Sequence, residues 1–170
     1  MRRPIIGMHA HPVLELLLLL AITNGAPVVA RLLMGRRLSQ PLDRDRPFRD
    51  GQPWLGPAKT VRGIVSALLA TTLVAPLFDL SPGQGTLFAA LAMAGDLLSS
   101  FTKRRLGIAS SRSAPLLDQL PESLLPLWLM YPLFGETRQE AAIAVLIFVV
   151  MDWFVSRLRD AVSRDAGDGG

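Results

Sequence analysis

The sequence contains no cysteine, only two histidines and few aromatic residues, which make up 6% of the chain. The absence of cysteine excludes a disulfide scaffold, a zinc finger and a thiol nucleophile. A Ser-His-Asp arrangement, an H-E-x-x-H motif and a Rossmann glycine pattern are also missing. Charged residues make up only 19% of the chain and half of its residues are hydrophobic, which excludes intrinsic disorder. A length of 170 residues suits a single domain, 1–170.

Nearly continuous apolar runs dominate the chain and predict an all-α, polytopic membrane protein. A helix needs about 20 mostly apolar residues to cross the hydrocarbon core of a bilayer. The runs that approach this length are residues 12–34, 61–80, 83–101, 114–134 and 141–158. The third and fourth runs contain acidic residues, so interfacial or re-entrant helices are an alternative for those two. The sequence thus predicts about five transmembrane helices.

The positions of the cations predict how these helices are oriented. Most lysines and arginines fall in loops of about 35–60 and 102–113 and in the C-terminal tail, whereas Arg2, Arg3 and Arg138 fall on the other side. By the positive-inside rule, both loops and the C-terminus are cytosolic and the N-terminus is outside. The basic residues are therefore explained by the orientation of the chain in the cell membrane and by contact with cytosolic anions. We expect no nucleic-acid partner. The last residues, 165–170, should be frayed.

Two aspartates lie within the apolar runs, near their predicted cytosolic ends. Asp96 is five residues before the end of the third run, and Asp118 is four residues after the start of the fourth. Both would lie about 6–8 Å deep at a rise of 1.5 Å per residue, so they can converge on one cation. Such a site suits Mg²⁺, with Mn²⁺ as an alternative, and Glu122 shares the helix face of Asp118. A structural ion-pair cluster with the cations after the third run is the competing interpretation. Those cations are Lys103, Arg104 and Arg105.

A second polar segment, GPAKTVRG at residues 56–63, leads into the second apolar run. Lys59 supplies a point charge, Thr60 a hydroxyl group and Arg62 a fork of donors, beside a helix N-terminus whose dipole favours anions. The flanking glycines would let a phosphate approach the backbone closely. The spacing is not that of a Walker loop. Lysine and arginine are also common anchors at membrane ends, so phosphate binding and anchoring both stay open.

Asn24 and Pro27 interrupt the apolar core of the first run. A buried asparagine needs hydrogen-bond partners, and a proline inside a helix frees a backbone carbonyl group. Helix packing and a polar cavity would both explain this pair, and the residues alone favour packing.

Taken together, these motifs resemble the CDP-archaeol synthases, integral-membrane relatives of phosphatidate cytidylyltransferase. The shared motifs are N-x-x-P in the first run, GPAKTVRG, GDLLSSFTKRRLG at 95–107 and P-x-x-DQ-x-P at 115–121. The resemblance implies transfer of a cytidylyl group from CTP to a membrane lipid phosphate of the archaetidic or phosphatidic acid type. Release of pyrophosphate and dependence on Mg²⁺ are implied as well. Segment 108–114, IASSRSA, departs from the Lys- or Gly-containing sequence that the family typically has.

The resemblance also implies roles for individual residues. The expected catalytic residues are Asp96, Asp118 and Lys103, and both aspartates would hold the metal ion. The residues expected to bind substrate are Asn24, Lys59, Thr60, Arg62, Gly63, Ser100, Arg104, Arg105 and Gln119. Because the reaction joins soluble CTP to a lipid, the active site should face the cytosol. The sequence allows a homo-oligomer.

Two other functions compete with this interpretation. A CDP-alcohol phosphotransferase would carry D-G-x-x-A-R, whereas Asp50 and Gly51 are followed by QPWLG. A small transporter or scaffold subunit would spread its acids across the depth of the bilayer, whereas Asp96, Asp118 and Asp152 cluster towards one face. The sequence therefore favours the transferase.

Overall fold

The structure, a computed structural model, describes residues 12–44, 46–110, 114–134 and 137–165. Five α-helices make up most of this part of the chain, and they confirm the predicted all-α class. The helices are α1 (Pro12–Met34), α2 (Val61–Val74), α3 (Pro82–Arg105), α4 (Pro115–Met130) and α5 (Arg138–Asp165). Arg2, Arg3 and the predicted frayed tail from residue 166 onwards lie outside the described residues.

Three helical segments among the described residues are long and apolar enough to cross a membrane. They are Val13–Met34, Val61–Phe78 and Pro82–Arg105. Leu32 and Leu33 on α1 and Leu73 on α2 are 78%, 81% and 77% exposed. Leucines this exposed on a helical bundle suit contact with lipid chains better than contact with water. The count of five spans and their orientation stay predictions.

Several helix ends differ from the ends of the predicted runs. α2 ends at Val74 and the chain tightens into a 3-10 turn, Ala75–Phe78, because a proline in that turn cannot donate a backbone hydrogen bond. α3 continues to Arg105, so Asp96 lies about 13 Å from the end of its helix rather than about 8 Å. α5 includes Asp165, which was predicted to belong to the frayed tail.

The apolar core fills the half of the bundle that is remote from the loop at residues 35–60. Consecutive helices pack against each other, and α1 also contacts α5. The main buried side chains of this core are Leu16, Leu19, Leu20, Phe88, Leu127, Met130 and Val145. They come from the first halves of α1, α3 and α5 and from the second half of α4. The opposite halves of these helices are therefore free to carry polar residues.

Two glycines let α3 approach its neighbours closely. A Cβ atom at Gly85 would collide with the Cβ atom of Ala75, and one at Gly95 would collide with the carbonyl oxygen of Pro121 on α4. Larger side chains at these positions would force the helices apart, so glycine sets the distance between them. Gly95 directly precedes Asp96, and its contact with α4 therefore also fixes where that acid lies.

Candidate active site

A polar cavity of about 350 Å³ is enclosed by the loop-side halves of α1, α3 and α4 and by the segment before α2. Its lining residues are Asn24, Val28, Leu55, Ala58, Lys59, Asp96, Ser100, Lys103, Arg104, Ser110, Asp118, Gln119 and Glu122. Most of the predicted site residues are therefore brought together in one place. The predicted residues outside this lining are Thr60, Arg62, Gly63 and Arg105.

Asp96 forms an ion pair with Lys59 inside the cavity. The Lys59 Nζ atom donates hydrogen bonds to both carboxylate oxygens, at 2.5 and 2.6 Å. The side chains of Lys59 and Asp96 are 24% and 22% exposed. A partly buried charge is costly unless it is paired, and this contact compensates both groups. The pair also ties the segment before α2 to the middle of α3.

Asp118, in the first turn of α4, accepts hydrogen bonds from side chains of α3 and from the backbone just before α4. The Lys103 Nζ atom lies 3.0 Å from Asp118 Oδ1 and donates to Oδ2 at 3.1 Å. The Ser99 hydroxyl group donates to Oδ1 at 3.2 Å, and the Ala114 amide donates to Oδ2 at 3.0 Å. A carboxylate in the first turn of a helix is also favoured by the helix dipole. These contacts fix Asp118 between α3 and α4.

The predicted ion-pair cluster is thus found only in part. Asp118 does pair with Lys103, but Asp96 pairs with Lys59 from another segment of the chain. The Asp118 side chain remains 29% exposed and that of Asp96 remains 22% exposed. Both acids also line the cavity, so a ligand inside it would lie beside these ion pairs.

Arg104 differs from the two cavity lysines because it pairs with no acidic residue in the part of the chain that the structure describes. The residue is only 7% exposed, and its buried Nε atom has no hydrogen-bond partner in the structure. A buried guanidinium group without a counter-charge is costly unless a ligand supplies one. Arg104 is therefore the cavity group best suited to bind an anion.

Arg105 turns away from the cavity and holds the long loop at residues 35–60. Its Nη2 atom donates to the Pro53 carbonyl oxygen at 2.7 Å, and its Nη1 atom lies 2.9 Å from Asp50 Oδ1. Its guanidinium carbon lies 4.6 Å from the ring centre of Phe48 and 5.0 Å from that of Phe101, which are cation–π distances. These contacts fasten the loop to the end of α3, and substrate binding by Arg105 stays a prediction.

The predicted residues around the start of α2 also have structural contacts. The buried Arg62 Nη1 atom donates to the carbonyl oxygens of Gly35 and Arg37, at 2.7 and 2.6 Å, just beyond the end of α1. Thr60 is the N-cap of α2, and its hydroxyl oxygen accepts a hydrogen bond from the Gly63 amide at 3.2 Å. Arg62, Thr60 and Gly63 thus shape the junction between α1 and α2 beside the cavity.

Asp43 orders the segment that presents Lys59 to the cavity. Its Oδ2 atom accepts hydrogen bonds from the Leu55 and Gly56 amides, at 2.7 and 2.9 Å. The Leu42 amide donates to the Lys59 carbonyl oxygen at 2.8 Å. The long polar loop therefore folds back on the segment that follows it, and this gives the loop a positioning role that the sequence did not indicate.

Ser110 and Glu122 line the cavity but were not among the predicted site residues. Glu122 follows Asp118 by one helical turn, and this spacing was a signal that could have included it. Ser110 lies beside Gly56, where a Cβ atom would collide with the Ser110 hydroxyl oxygen. Gly56 also has φ +88°, a conformation that favours glycine. The segment before α2 and the segment after α3 approach each other here. This approach depends on backbone geometry that the residue pattern does not reveal.

Residues 83–158 match the family model described as "CarS-like: CDP-archaeol synthase". A CDP-archaeol synthase from Aeropyrum pernix is 39% identical over 136 residues, which cover 74% of this chain and 75% of the relative. One from Pyrococcus furiosus is 30% identical over 156 residues, which cover 84% of this chain and 90% of the relative. The chain belongs to the CDP-archaeol synthase family.

CDP-archaeol synthases are CTP-dependent lipid cytidylyltransferases of archaeal membrane lipid synthesis, so the chain belongs to a family of membrane enzymes. The match to a CDP-archaeol synthase from Hyperthermus butylicus is 40% identical and spans 58% of that relative. A solved structure described as "an intramembrane enzyme for archaeal membrane lipids biosynthesis" has a TM-score of 0.71 and 32% identity. The similarity covers 85% of this chain and 92% of that one. The shared fold therefore extends over most of the chain.

The donor set of the cavity in this CDP-archaeol synthase family member suits a hard divalent cation. Asp96, Asp118 and Glu122 offer carboxylate oxygens, which Mg²⁺ prefers as ligands. Among the described residues, no three acidic or histidine side chains are close enough to enclose an ion by themselves. Mg²⁺ is usually held by one or two carboxylates together with substrate phosphates, and the cavity fits that arrangement. Mn²⁺ accepts the same ligands.

Proposed function

We propose that this protein transfers the cytidylyl group of CTP to the phosphate of a membrane lipid of the archaetidic or phosphatidic acid type. The products are a CDP-activated lipid and pyrophosphate. The observation that carries this proposal is the buried Arg104 guanidinium group, which forms no ion pair with any described acidic residue and shares its cavity with two lysines. Such a set of cations binds phosphates, and both proposed substrates carry them.

The reaction needs positioning and charge stabilisation more than it needs a strong base. A lipid phosphomonoester is an anion at neutral pH, because the second pKa of a phosphate monoester is about 6. One of its oxygens attacks the α-phosphorus of CTP. The bond from that phosphorus to the oxygen leading to the β-phosphorus breaks, and pyrophosphate leaves with the electron pair. Two polyanions must therefore be brought together while negative charge shifts to the leaving group.

The cations of the cavity supply this positioning. Lys59, Lys103 and Arg104 can contact phosphate oxygens through charge-assisted hydrogen bonds. Their effect is strengthened by burial, because a partly shielded site screens charges less than water does. When bound, Mg²⁺ would be held by Asp96 and Asp118 and would neutralise charge on the phosphate oxygens. The catalytic group thus consists of the predicted Asp96, Asp118 and Lys103, with Arg104 as the anion-binding residue.

The cavity has two ends that suit the two substrates. Asn24 lies ten residues before the end of α1, which is about 15 Å into the bundle at 1.5 Å per residue. Its buried Nδ2 atom has no hydrogen-bond partner in the structure, so it can donate to a ligand. Lys103, Arg104 and Ser110 lie near the loop end of the cavity. We assign the Asn24 end to the lipid phosphate and the loop end to CTP.

This assignment requires an active site at the cytosolic surface of the cell membrane, because CTP is soluble and the acceptor is a membrane lipid. The predicted topology meets that requirement, since the loops at about 35–60 and 102–113 would both be cytosolic. The CDP-alcohol phosphotransferase alternative is not favoured by the structure. Asp50, the acid on which that alternative depends, pairs with Arg105 and is not among the cavity-lining residues.

The proposal is tested with purified protein in liposomes that contain an isoprenoid ether or a diacyl lipid phosphate. Addition of CTP and Mg²⁺ should yield CDP-lipid and pyrophosphate in equal amounts with at least one of the two lipids. Liposomes without lipid phosphate and reactions with ATP instead of CTP are the controls. The proposal is wrong if folded protein forms no CDP-lipid with either acceptor. Release of CMP from an added CDP-lipid would instead support the phosphotransferase.

A further inference from the structure

Both acids that would hold the metal ion are already neutralised by lysines of the same chain. We infer that Lys59 and Lys103 act as built-in counter-ions, which keep a divalent cation out of the cavity until a polyphosphate enters with it. This inference rests on the proposed function, because it concerns how the metal and CTP reach the same site. It adds a binding order to the roles given above.

The contact between Lys59 and Asp96 leaves little room for a metal ion. The ammonium nitrogen lies 2.5 and 2.6 Å from the two carboxylate oxygens, so it faces both of them at once. Mg²⁺ binds carboxylate oxygens at about 2.0–2.1 Å and would compete for the same lone pairs. An ammonium group and a divalent cation on one carboxylate would also repel each other strongly at that distance. Metal binding at Asp96 therefore requires Lys59 to move away.

Lys103 is even less able to leave Asp118 unless another anion takes the place of that carboxylate. Its side chain is 9% exposed, and its ammonium group lies 3.0 Å from Asp118 Oδ1. If a metal ion took over Asp118, the Lys103 charge would stay in a partly buried place without a partner, which is costly. A phosphate in the cavity would supply that partner. The energetic cost of displacing Lys103 thus depends on whether an anion is present.

The charges that line the cavity support the same conclusion. Among the described residues that line the cavity, three cations and three acids give no formal net charge, although none of these acids pairs directly with Arg104. The cations are Lys59, Lys103 and Arg104, and the acids are Asp96, Asp118 and Glu122. A divalent cation alone would leave the cavity with excess positive charge, whereas the oxygens of a triphosphate would balance both the metal and the displaced lysines. Metal and polyphosphate should therefore each strengthen the binding of the other.

The sharpest test measures Mn²⁺ binding without nucleotide, where removal of a lysine should improve metal affinity. Free Mn²⁺ is followed by electron paramagnetic resonance on detergent-purified parent and Lys59→Met protein at pH 8. The Lys59→Met protein should bind Mn²⁺ at least tenfold more tightly than the parent, and the added change Asp96→Asn should remove the gain. Arg37→Met deletes an exposed cation of the cytosolic loop and should leave Mn²⁺ affinity unchanged. Lys103→Met provides a second, independent measurement at Asp118.

The inference is overturned if folded Lys59→Met or Lys103→Met protein binds Mn²⁺ no more tightly than the parent. That result is separate from failure of the proposed function. A parent protein that forms CDP-lipid while the lysine variants show no gain refutes only the counter-ion role. A gain in Mn²⁺ affinity with a parent protein that makes no CDP-lipid refutes only the proposed reaction. If Lys59→Met does not purify folded, the Lys103→Met measurement decides the inference.

Discussion

The Lys59 ammonium group lies 2.5 Å from Asp96 Oδ1 and thereby connects the segment before α2 to the middle of α3. In the sequence, Lys59 belongs to a polar segment with phosphate-binding character and Asp96 to an apolar run. The contact brings these two signals together in one cavity. It also shows that the anion-binding and metal-binding parts of the proposed site are not independent, because each neutralises the other when ligands are absent.

Loss of either aspartate charge should nearly abolish the proposed reaction. Asp96→Asn and Asp118→Asn preserve side-chain size but remove the charge that would bind the metal ion. We expect turnover of CTP to fall by about two orders of magnitude or more in each variant, as when a group that stabilises transition-state charge is removed. Raised Mg²⁺ should partly rescue the weaker variant. CDP-lipid formation by folded protein is the measurement.

Asp50→Asn is the matched control for these two variants, because Asp50 pairs with Arg105 and does not line the cavity. It should retain most of the parental turnover. A folded Asp118→Asn protein with near-parental turnover would contradict the metal assignment. If the aspartates only neutralised lysines, the variants would lose stability but keep their turnover.

Two adjacent arginines should give different defects. Arg104→Ala removes a cavity cation that pairs with none of the described acids, so kcat/KM for CTP should fall. The loss of a charge-assisted contact costs about 1.5–3 kcal/mol, or roughly 10- to 150-fold. Arg105→Ala removes the contacts that hold the loop before α2, so trypsin should cut the folded protein faster after Arg44 and Arg49, neither of which precedes a proline. Kinetic and proteolysis measurements on both variants separate the two roles.

The loop cleavage rate of Arg104→Ala should match that of the parent. Trp54 provides a second readout, because it packs 4.7 Å from the Phe48 ring, one of the rings beneath Arg105. Its fluorescence should change in Arg105→Ala and not in Arg104→Ala. Equal loop cleavage in Arg105→Ala and the parent would show that this arginine does not hold the loop.

The helices could be predicted from the sequence because the bilayer sets their length. Runs of about 20 apolar residues have few alternatives to a helix in a membrane. Their ends could not be predicted as well, because local hydrogen bonding decides them. The proline after Ala75 interrupts the α2 pattern, and the charged residues up to Arg105 continue α3 beyond its apolar part.

Those cavity residues that are charged and interrupt an apolar run could be predicted from the sequence. Asp96 and Asp118 were recognisable because an acid within such a run needs a reason to be there. The partners of Arg62 and Arg105 could not be predicted, because they include backbone carbonyl oxygens of irregular segments. No periodic residue pattern encodes where those oxygens lie. Arginine at a membrane end therefore looks the same in the sequence whether it binds substrate or holds a loop.

Gly95→Ala should destabilise the protein because α3 and α4 touch at this position. The new Cβ atom would collide with the Pro121 carbonyl oxygen, which is rigid backbone. Overpacking of this kind costs about 1–3 kcal/mol. Gly25→Ala is the control, since no atom lies within 4 Å of its added Cβ, and it should stabilise α1 by roughly 0.5–1 kcal/mol. Thermal unfolding in detergent should therefore shift in opposite directions in the two variants.

The predicted orientation can be tested directly because the chain contains no cysteine of its own. Arg44, in the loop before α2, and Thr137, just before α5, are both exposed in the structure. Each can be replaced by a single cysteine. The positive-inside rule places Arg44 in the cytosol and Thr137 outside. A membrane-impermeant maleimide applied to intact cells should therefore label only the cysteine at Thr137, and opening the cells should make the cysteine at Arg44 reactive. Labelling of both positions from the same side would contradict the five-span arrangement, because an odd number of crossings must separate these two residues if Arg44 is cytosolic and Thr137 is not.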